Sequence, residues 1–380
     1  MAKRNQLTDP QNILLWTKAG GRCEFMGCNK ILYRDKFFPH IEYNIADKAH
    51  IVANSPKGPR GHNVSSKKLN AKISNLMLLC KDCHKRIDAN VKFYTVLKLR
   101  DMKRQHEKRI ERVTGIIEDN RTELIIYSAN IGSQSNHINE NMAENAVIAN
   151  NMYPMEFIDL SHYGSMSEDR EKLFWQTEPV NLEKNFNMKV RDRIAYKTGS
   201  QHFSVFALAP IPLLIKLGSL LTDKTTSQVY QKFREPDTWS WQEDSPELKF
   251  SVSRPQKNYC RIALILSMSA SIPSTDIYKA LGKDTSVWKI SVEKPYNDCI
   301  RNKNHLSAFR KTLRTVLLEI KNKHGAGAII NIFPAIPVSI AIEIGRVWMP
   351  KADLPLIIYD RNREDNLSFI KRLTIGVENE

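Results

Sequence analysis

The chain has 380 residues, of which 57 are Lys or Arg and 41 are Asp or Glu, so its formal net charge is +16. This length leaves room for two or three domains that each bury a core. No apolar run is as long as a membrane span, the N terminus does not begin a secretory signal, and six cysteines are too few for a disulfide framework. We therefore expect a cytoplasmic protein that contacts no membrane.

The positive charge is concentrated in the first third of the chain. Residues 1–120 contain 24 Lys or Arg against 12 Asp or Glu, whereas residues 121–380 contain 33 against 29. Basic surfaces bind nucleic acid by releasing counterions from its phosphate backbone. The alternative is the lysine-rich face of any soluble protein, and charge alone does not separate DNA from RNA. The excess favours a nucleic-acid contact by the N-terminal third.

The first elements predicted along the chain are a helix, a strand, a loop and a second helix. Residues 9–20 predict a short helix, and residues 41–52 predict a strand that ends at His50. Residues 53–70, rich in Gly, Pro, Asn, Ser and Lys, predict a mobile basic loop that is a candidate for touching DNA. From about residue 91 to 119, apolar positions recur at helical spacing, which predicts a connecting helix.

Four cysteines stand in two close pairs: Cys23 and Cys28, then Cys80 and Cys83. Thiolates at these separations can converge tetrahedrally on one zinc ion. A site of three cysteines and His84 would also suit zinc, because His84 is next to the last cysteine. We favour the four cysteines, since they already supply a closed shell. Structural zinc would then be part of the folding of this region.

After residue 120 the pattern changes to apolar runs that are separated by segments long enough for helices. The runs are TELIIYSANIGS, QHFSVFALAP, CRIALILSMSA, VWKISVE, GAIINIFPAI and LPLIIYD. Alternation of buried strands with helices is typical of an α/β fold. We therefore predict an α/β domain with mostly parallel strands.

Two of these units match each other at an offset of 127 residues. Three pairs of residues align at this offset: Phe206 with Phe333, Pro210 with Pro337, and Gly218 with Gly345. The alternative is that any strand-to-helix junction uses Pro and Gly for turn and packing. The match favours an internal duplication. Two such halves would form a crevice at the carboxyl ends of their strands, where sheets of this class bind ligands.

The paired cysteines frame an ordered set of three polar residues. His50 lies in KAHIV, and Asn75 and His84 lie in SNLMLLCKDCHKRID. This order of His, Asn and His resembles the HNH, or ββα-metal, endonucleases. The resemblance implies a small nuclease domain with structural zinc over residues 1–90, joined by a helix over residues 91–120 to a domain over residues 121–380. It would be a DNA endonuclease, that is, a phosphodiester hydrolase.

The C-terminal part carries a second resemblance. FALAPIPLLIKLG, the Trp239 and Trp241 pair, and FPAIPVSIAIEIGRVWMPKADLPLIIYD resemble a SAVED domain, a sensor of cyclic oligonucleotides made of two fused CARF-like, Rossmann-like halves. HNH followed by SAVED is the architecture of effector endonucleases in CBASS antiphage defence. The resemblance implies an enzyme that is latent until a cyclic dinucleotide or trinucleotide binds. Binding would assemble dimers into higher oligomers such as tetramers, which would then cut double-stranded DNA.

The HNH resemblance also assigns roles. His50 is the best general base, because imidazole titrates near neutral pH and the motif places this histidine at the end of the first strand. His84 would ligate a catalytic divalent ion, expected to be Mg²⁺. Asn75 would bridge the loop backbone and hold His50 at the right angle.

The second ligand of the catalytic ion is left open. Many HNH sequences place a ligand immediately before the base, but that position here is Ala49. Asp47 is the nearest acid, although an ideal strand would point it away from His50. Asp88, four residues after His84 and therefore on the same helical face, is the alternative.

A pocket for a cyclic oligonucleotide needs aromatic or Arg faces for the bases, and cations or backbone donors for the phosphates. The aromatic and lysine candidates are Tyr163, Trp175, Lys197, Trp239, Trp241, Phe333 and Tyr359. Phe333 and Tyr359 follow apolar strands and can simply pack. We select Trp175, Lys197, Trp239 and Trp241, because the tryptophans lie in polar segments and the lysine opens KTGSQ, which could hold a phosphate.

Two other functions fit the same residues. A modification-dependent HNH restriction endonuclease would keep the chemistry but need no small activator. A zinc-dependent DNA-binding regulator would bind DNA and never cut it, although binding alone does not require His50, Asn75 and His84 together.

Overall fold

A computed structural model describes residues 7–34, 40–117, 120–134, 136–162, 167–196, 201–361 and 368–377. The chain divides into two compact units, Met1–Ile117 and Glu118–Glu380. None of the helices that the structure describes combines the length and the apolar character needed to cross a bilayer. Tyr163 and Lys197 lie outside the described residues.

The N-terminal unit contains two strands, four α-helices and a 3₁₀ turn within its described residues. They are α1 (Asp9–Ala19), β1 (Ala46–His50), α2 (Ser65–Leu69), the 3₁₀ turn Ile73–Asn75, β2 (Leu76–Cys80), α3 (Lys81–Ala89) and α4 (Val96–Thr114). β1 and β2 are antiparallel, with Ala46 opposite Cys80 and His50 opposite Leu76. α3 follows β2 directly, so the two paired strands lie next to a helix, although α2 and the 3₁₀ turn separate the strands in the chain.

The structure adds detail to two of the expectations for this unit. The helix predicted over residues 91–120 is α4, and it is part of the unit's core because Leu99 and Met102 are buried with β2 and α3. Its N terminus is capped by Thr95, whose hydroxyl accepts a hydrogen bond from the Lys98 backbone N–H at 3.3 Å. The predicted loop over residues 53–70 contains α2, and its Ser66 is fully buried. Residues 53–64 have no helix or strand, as predicted for a loop.

The first half of the second unit is a parallel sheet of four strands. The strands are β3 (Arg121–Ser128), β4 (Tyr153–Asp159), β5 (Phe203–Leu208) and β6 (Ser227–Val229), in the order β4-β3-β5-β6. The helices are α5 (Glu140–Ala149), α6 (Lys172–Phe186), α7 (Asp192–Tyr196) and α8 (Ile211–Leu221), and a π-helical turn, Asn187–Arg191, joins α6 to α7.

The second half is a sheet of six strands. They are β7 (Phe250–Ser253), β8 (Arg261–Ser267), β9 (Thr285–Val292), β10 (Ile330–Ala335), β11 (Leu356–Arg361) and β12 (Phe369–Ile375). The order is β12-β11-β10-β8-β9-β7, and only the edge strands β7 and β12 pair antiparallel. The helices are α9 (Ser274–Leu281), α10 (Lys303–His324) and α11 (Val338–Val347). The predicted α/β domain with mostly parallel strands is confirmed.

The two halves repeat one strand-helix unit at the offset found in the sequence. β5 and β10 begin and end 127 residues apart, and α8 and α11 begin 127 residues apart. The two helices pack directly on each other at Gly218 and Gly345. The repeated glycines therefore occupy equivalent places in two α/β halves, which agrees with an internal duplication.

Candidate metal centre and catalytic cleft

The four paired cysteines meet in the N-terminal unit. Two lie on the turn after α1, one ends β2 and one lies in the first turn of α3: Cys23, Cys28, Cys80 and Cys83. All four sulfur atoms lie within 4.8 Å of one another, and the Cys28 and Cys80 sulfurs are 3.9 Å apart. In a tetrahedral zinc site with Zn–S bonds of about 2.3 Å, the sulfurs lie about 3.8 Å apart. The predicted convergence is confirmed, and the donor set fits zinc.

The backbone around these sulfurs favours bound metal. Gly27 has φ 83°, a left-handed conformation that allows the tight turn between the first two cysteines. The Cys80 backbone N–H donates a hydrogen bond to the Cys23 sulfur at 3.4 Å. Burial raises the pKa of the Cys23 thiol to about 12, so its thiolate needs a compensating cation.

A cleft of about 660 Å³ lies on the same unit. Its polar lining includes Lys48, His50, Arg60, Asn70, His84 and Asp88. Two of the three residues of the predicted motif, His50 and His84, therefore face one space, although 34 positions separate them in the chain. The strand pairing of β1 with β2 and the start of α3 immediately after β2 bring them together.

His50 is held by one ring nitrogen. Its Nε2 atom lies 3.1 Å from the backbone oxygen of Asn70 and 3.2 Å from the side-chain oxygen of that residue. A carbonyl oxygen only accepts hydrogen bonds, so Nε2 carries the proton of the neutral ring. Nδ1 then holds the lone pair, which makes it the atom that can accept a proton.

Asn75 is buried beneath the chain that follows His50. Its Nδ2 atom donates to the Val52 backbone oxygen at 2.8 Å, and its Oδ1 atom accepts from the Val52 backbone N–H at 3.0 Å. The Ile51 backbone N–H donates to the Asn75 backbone oxygen at 2.9 Å. The amide thus bridges the backbone two residues beyond His50, and its catalytic role stays a prediction.

His84 lies between the two acids that the sequence left as alternatives. Its Nδ1 atom is 3.1 Å from Asp47 Oδ2, and its Nε2 atom is 3.4 Å from Asp88 Oδ2. Neighbouring ligands of a Mg²⁺ ion with bonds of 2.0–2.1 Å lie about 3 Å apart, so either pair fits a shared divalent ion. Within the described ranges, only the four cysteines converge as a set of three or more His, Cys, Asp or Glu side chains. His84 and the two acids do not form such a set, and each acid contacts a different ring nitrogen of His84.

Arg60 is a residue of the cleft that the sequence interpretation missed. Its guanidinium donates to the backbone oxygens of Ile51 and Ile87, each at 2.8 Å, and to Asp88 Oδ1 at 2.6 Å. Only 3% of its side chain is exposed. Nothing in the local sequence distinguishes Arg60 from the other cations of residues 53–70, because all of its partners are distant in the chain.

The tryptophan pair selected for the ligand pocket is placed in the core. Trp239 is 1% exposed and Trp241 is 7% exposed. Phe206 meets the Trp239 ring edge-on at 5.2 Å, and Tyr230 stacks on Trp241 at 6.3 Å. Both lie in a loop, as predicted. The expectation that they are not core residues is wrong, because distant aromatic residues cover them. The Trp241 Nε1 atom is buried and has no hydrogen-bond partner among the described residues.

The other aromatic candidates have different surroundings. Trp175 is half-buried on α6, where its Nε1 atom donates to the Asp169 backbone oxygen at 2.5 Å and the Arg372 guanidinium lies 5.0 Å from its ring centre. Phe333 is fully buried and stacks on Tyr359 at 4.5 Å, so these two rings pack as expected. Trp175 therefore does not share the aromatic cluster of the tryptophan pair.

The two halves also meet at the carboxyl ends of their strands. α8 and α11 each begin immediately after a proline at this end, Pro210 after β5 and Pro337 after β10. Gln231, just after β6 in the first half, accepts hydrogen bonds from the Ser339 backbone N–H at 3.2 Å and from its hydroxyl at 2.7 Å. Ser339 lies in the first turn of α11. This end of the sheets is where α/β folds bind ligands.

Comparison with known proteins bears on the second unit. The family model described as "SMODS-associated and fused to various effectors sensor domain", SAVED, matches residues 183–375. No curated protein matches the chain. Among solved structures, the Acinetobacter baumannii Cap4 SAVED/CARF-domain containing receptor with the cyclic trinucleotide 2′3′3′-cAAA is 10% identical, with a TM-score of 0.43. That match covers 82% of this chain and 61% of the receptor, so this chain spans about three fifths of its length.

A second similar structure comes from another organism. The Moraxella osloensis Cap4 SAVED/CARF-domain containing receptor is 11% identical, with a TM-score of 0.40. The match covers 81% of this chain and 69% of that receptor.

Proposed function

This chain belongs to the SAVED family of sensor domains, and from that premise we propose that it is an antiphage effector whose second unit binds a cyclic oligonucleotide. Binding activates a metal-dependent endonuclease in the N-terminal unit, which cuts double-stranded DNA. The family match begins at residue 183, so the nuclease part is argued from the N-terminal unit's own residues.

One observation carries the nuclease assignment. His50 and His84 line the same cleft, at the end of β1 and in the first turns of α3, beside a four-thiol site. A base and a metal ligand that face one space are what phosphodiester hydrolysis needs. The charge of this part of the chain, 24 Lys or Arg against 12 acids over residues 1–120, supports a polyanionic substrate.

The residues of the cleft have separate tasks in this reaction. His50 Nδ1 takes a proton from the attacking water, while the bond from Nε2 to Asn70 keeps the ring in the required tautomer and orientation. Asn75 fixes the backbone that follows this histidine. Arg60 joins that backbone to Asp88 and so holds both sides of the cleft at a fixed separation.

Two metal ions with different tasks are part of the proposal. Zinc at Cys23, Cys28, Cys80 and Cys83 would be structural, because four thiolates leave no coordination position open for water. A divalent ion such as Mg²⁺ at His84, with Asp47 or Asp88, would stabilise the charge on the phosphoryl group and on the leaving 3′ oxygen.

We place the activator at the carboxyl ends of β5 and β10, where Gln231 links the first half to Ser339 of the second. The roles of Trp175, Lys197, Trp239 and Trp241 in holding it stay predictions. The buried Nε1–H of Trp241, which has no hydrogen-bond partner among the described residues, is a donor for which a ligand would supply an acceptor. Activation would assemble dimers into tetramers, in which neighbouring nuclease units engage both DNA strands.

The test is a cleavage assay on the purified full chain. Plasmid DNA and Mg²⁺ are incubated with a panel of cyclic dinucleotides and trinucleotides, and the same assay is run with the His50→Ala variant. We expect cleavage with one class of cyclic nucleotide, none without it, and none from the variant. Cleavage without any cyclic nucleotide would identify an unregulated restriction endonuclease. Binding of DNA with no cleavage under any condition would identify a DNA-binding regulator.

A further inference from the structure

A second groove of the N-terminal unit, about 670 Å³ in volume, lies between α1 and α4. Five of its lining residues are cationic: Lys18, Arg100, Lys103, Arg104 and Lys108. Only two are acidic, Glu107 and Glu111. Lys103 is buried and pairs with Glu24 and Glu107. The other four cations are exposed, so the open part of the groove is positively charged.

This groove and the catalytic cleft are linked through the lining residues of a third hollow. A hollow of about 530 Å³ shares Arg60 with the cleft, and it shares Leu69 and Arg100 with the groove. The described residues that line the hollow include no Asp or Glu. The hollow therefore lies beside both the cleft and the groove, past α2, and its described lining places no acid between Arg60 and the cations of α4. We refer to the groove and this hollow together as the path.

The cations on α4 are spaced for an extended polyanion. Arg100, Arg104 and Lys108 are four residues apart and share one face of the helix. At a rise of 1.5 Å per residue the outer two are about 12 Å apart. One strand of DNA carries a phosphate about every 3.4 Å along the axis, so the row spans about three or four phosphates. Lys18 stands on α1, the opposite wall of the groove.

Three of these cations are available to a ligand. Arg104 pairs with the exposed Asp101. For Lys18, Arg100 and Lys108, the part of the chain that the structure describes offers no ion pair. Exposed cations without acidic partners keep their full charge for phosphate.

We infer that this path, which we call the α4 track, binds the phosphate backbone of duplex DNA away from the scissile bond. The track comprises four exposed cations, Lys18, Arg100, Arg104 and Lys108. The inference rests on the proposed function, because it takes DNA as the substrate of the cleft. The cations of α4 would position the DNA, while the buried face of the same helix packs in the core.

The test measures DNA binding by the full chain carrying His50→Ala, without any cyclic nucleotide, as a function of salt. A labelled duplex of random sequence is the probe, and fluorescence anisotropy gives Kd. The track variant adds Lys18→Gln, Arg100→Gln and Lys108→Gln. The matched control adds Lys30→Gln, Lys92→Gln and Arg112→Gln, three exposed cations that line none of the three hollows.

Each lost phosphate contact lowers the magnitude of the slope of log Kd against log salt by about 0.9, so the track variant should lose roughly 3 in slope. The control should keep the parent slope. Equal slopes in the two variants, or a parent that does not bind the duplex at low salt, would overturn the inference. Unchanged zinc content and melting temperature show that each variant is folded.

The cleavage assay tests the proposed function independently of DNA binding by the track. If the wild-type chain cuts plasmid with an activator but the track variant keeps the parent salt slope, DNA binding by the track is refuted and the nuclease function is supported. If the salt slope of the track variant falls but the wild-type chain never cuts DNA, DNA binding by the track is supported and the nuclease function is refuted.

Discussion

The Arg60 guanidinium donates a hydrogen bond to the Asp88 carboxylate across 2.6 Å, and this pair joins the segment after β1 to α3. Arg60 has φ 55°, in the left-handed region that non-glycine residues rarely adopt. Such a backbone conformation costs on the order of 1–3 kcal/mol. The buried bonds of the guanidinium to Asp88, Ile51 and Ile87 offset this cost.

Arg60→Lys should weaken both the N-terminal unit and its activity. Lysine keeps the charge but lacks the planar fork, so it cannot reach both backbone oxygens and the carboxylate. We expect the free energy of unfolding of this unit to fall by about 2–3 kcal/mol and kcat to fall about a hundredfold. Urea titration and activator-dependent cleavage measure the two effects. Lys57→Gln, an exposed change on the same segment, is the control, and an Arg60→Lys variant equal to it would contradict the assignment.

Asn75→Asp should separate the two hydrogen bonds that this side chain makes. Aspartate can still accept from the Val52 N–H, but it has no donor for the Val52 backbone oxygen. Because the site is buried, we expect a loss of about 1–3 kcal/mol in stability and a lower cleavage rate as His50 loses its fixed position. Asn63→Asp, at an exposed asparagine, should change neither. A stable Asn75→Asp variant with normal cleavage would remove the positioning role.

Removal of zinc should unfold the N-terminal unit and leave the second unit folded. Structural zinc contributes on the order of 10 kcal/mol to such a domain, and the four thiols lie on the turn after α1, at the end of β2 and in α3, so a bound ion would tie these elements together. Cys80→Ser should release the metal, whereas Cys260→Ser, at an exposed cysteine, should retain it. Zinc content and limited proteolysis measure this. Full protease resistance of residues 1–117 after chelation would contradict the structural role.

Gly218→Ala should disrupt the contact between the two α/β halves. A Cβ atom there would lie 1.9 Å from the Ile342 backbone oxygen, and one at Gly345 would lie 2.0 Å from the Ile215 backbone oxygen. Because backbone cannot yield as a flexible side chain can, we expect a loss of about 3 kcal/mol or more from either substitution. Gly327→Ala, where nothing lies within 4 Å of the added atom, should change stability by less than about 0.5 kcal/mol. Similar denaturation midpoints for both changes would refute the close packing.

Glu178→Gln should stabilise the second unit at neutral pH. Glu178 is 3% exposed, one of its carboxylate oxygens has no partner among the described residues, and burial raises its pKa above 4.5. The folded state then keeps a proton that the unfolded chain has released, so stability falls as pH rises above about 4.5. Glutamine removes this dependence.

The gain from Glu178→Gln should therefore grow with pH above about 4.5, by about 1.4 kcal/mol for each unit by which folding raises the pKa. Thermal melts between acid and neutral pH measure it. His162 is the neighbour that lowers the pKa of Glu178, so His162 is left unchanged. Glu247→Gln, at an exposed glutamate, should change stability by less than about 0.5 kcal/mol at each pH. A Glu178→Gln variant that is less stable than the parent at pH 7 would contradict this account.

Much of the architecture was predictable because it depends on spacing along the chain. The two cysteine pairs predicted the thiol site, which the structure forms. The 127-residue offset predicted the repeated strand and helix, because equal spacing of Pro and Gly imposes equal lengths on β5–α8 and β10–α11. The order of His50, Asn75 and His84 predicted which side chains to examine, and two of them line one cleft.

The sequence by itself determined the cluster of four cysteines, the α/β class of the second unit and its division into two halves, because each depends on local periodicity or on residue spacing. Only the tertiary structure decided that Trp239 and Trp241 lie in the core and that α4 belongs to the N-terminal unit. It also decided that the buried Arg60 side chain joins the segment after β1 to α3. Burial depends on which distant surfaces cover a side chain. Phe206 covers Trp239, and Ile87 and Asp88 bind Arg60, and no local pattern records such partners.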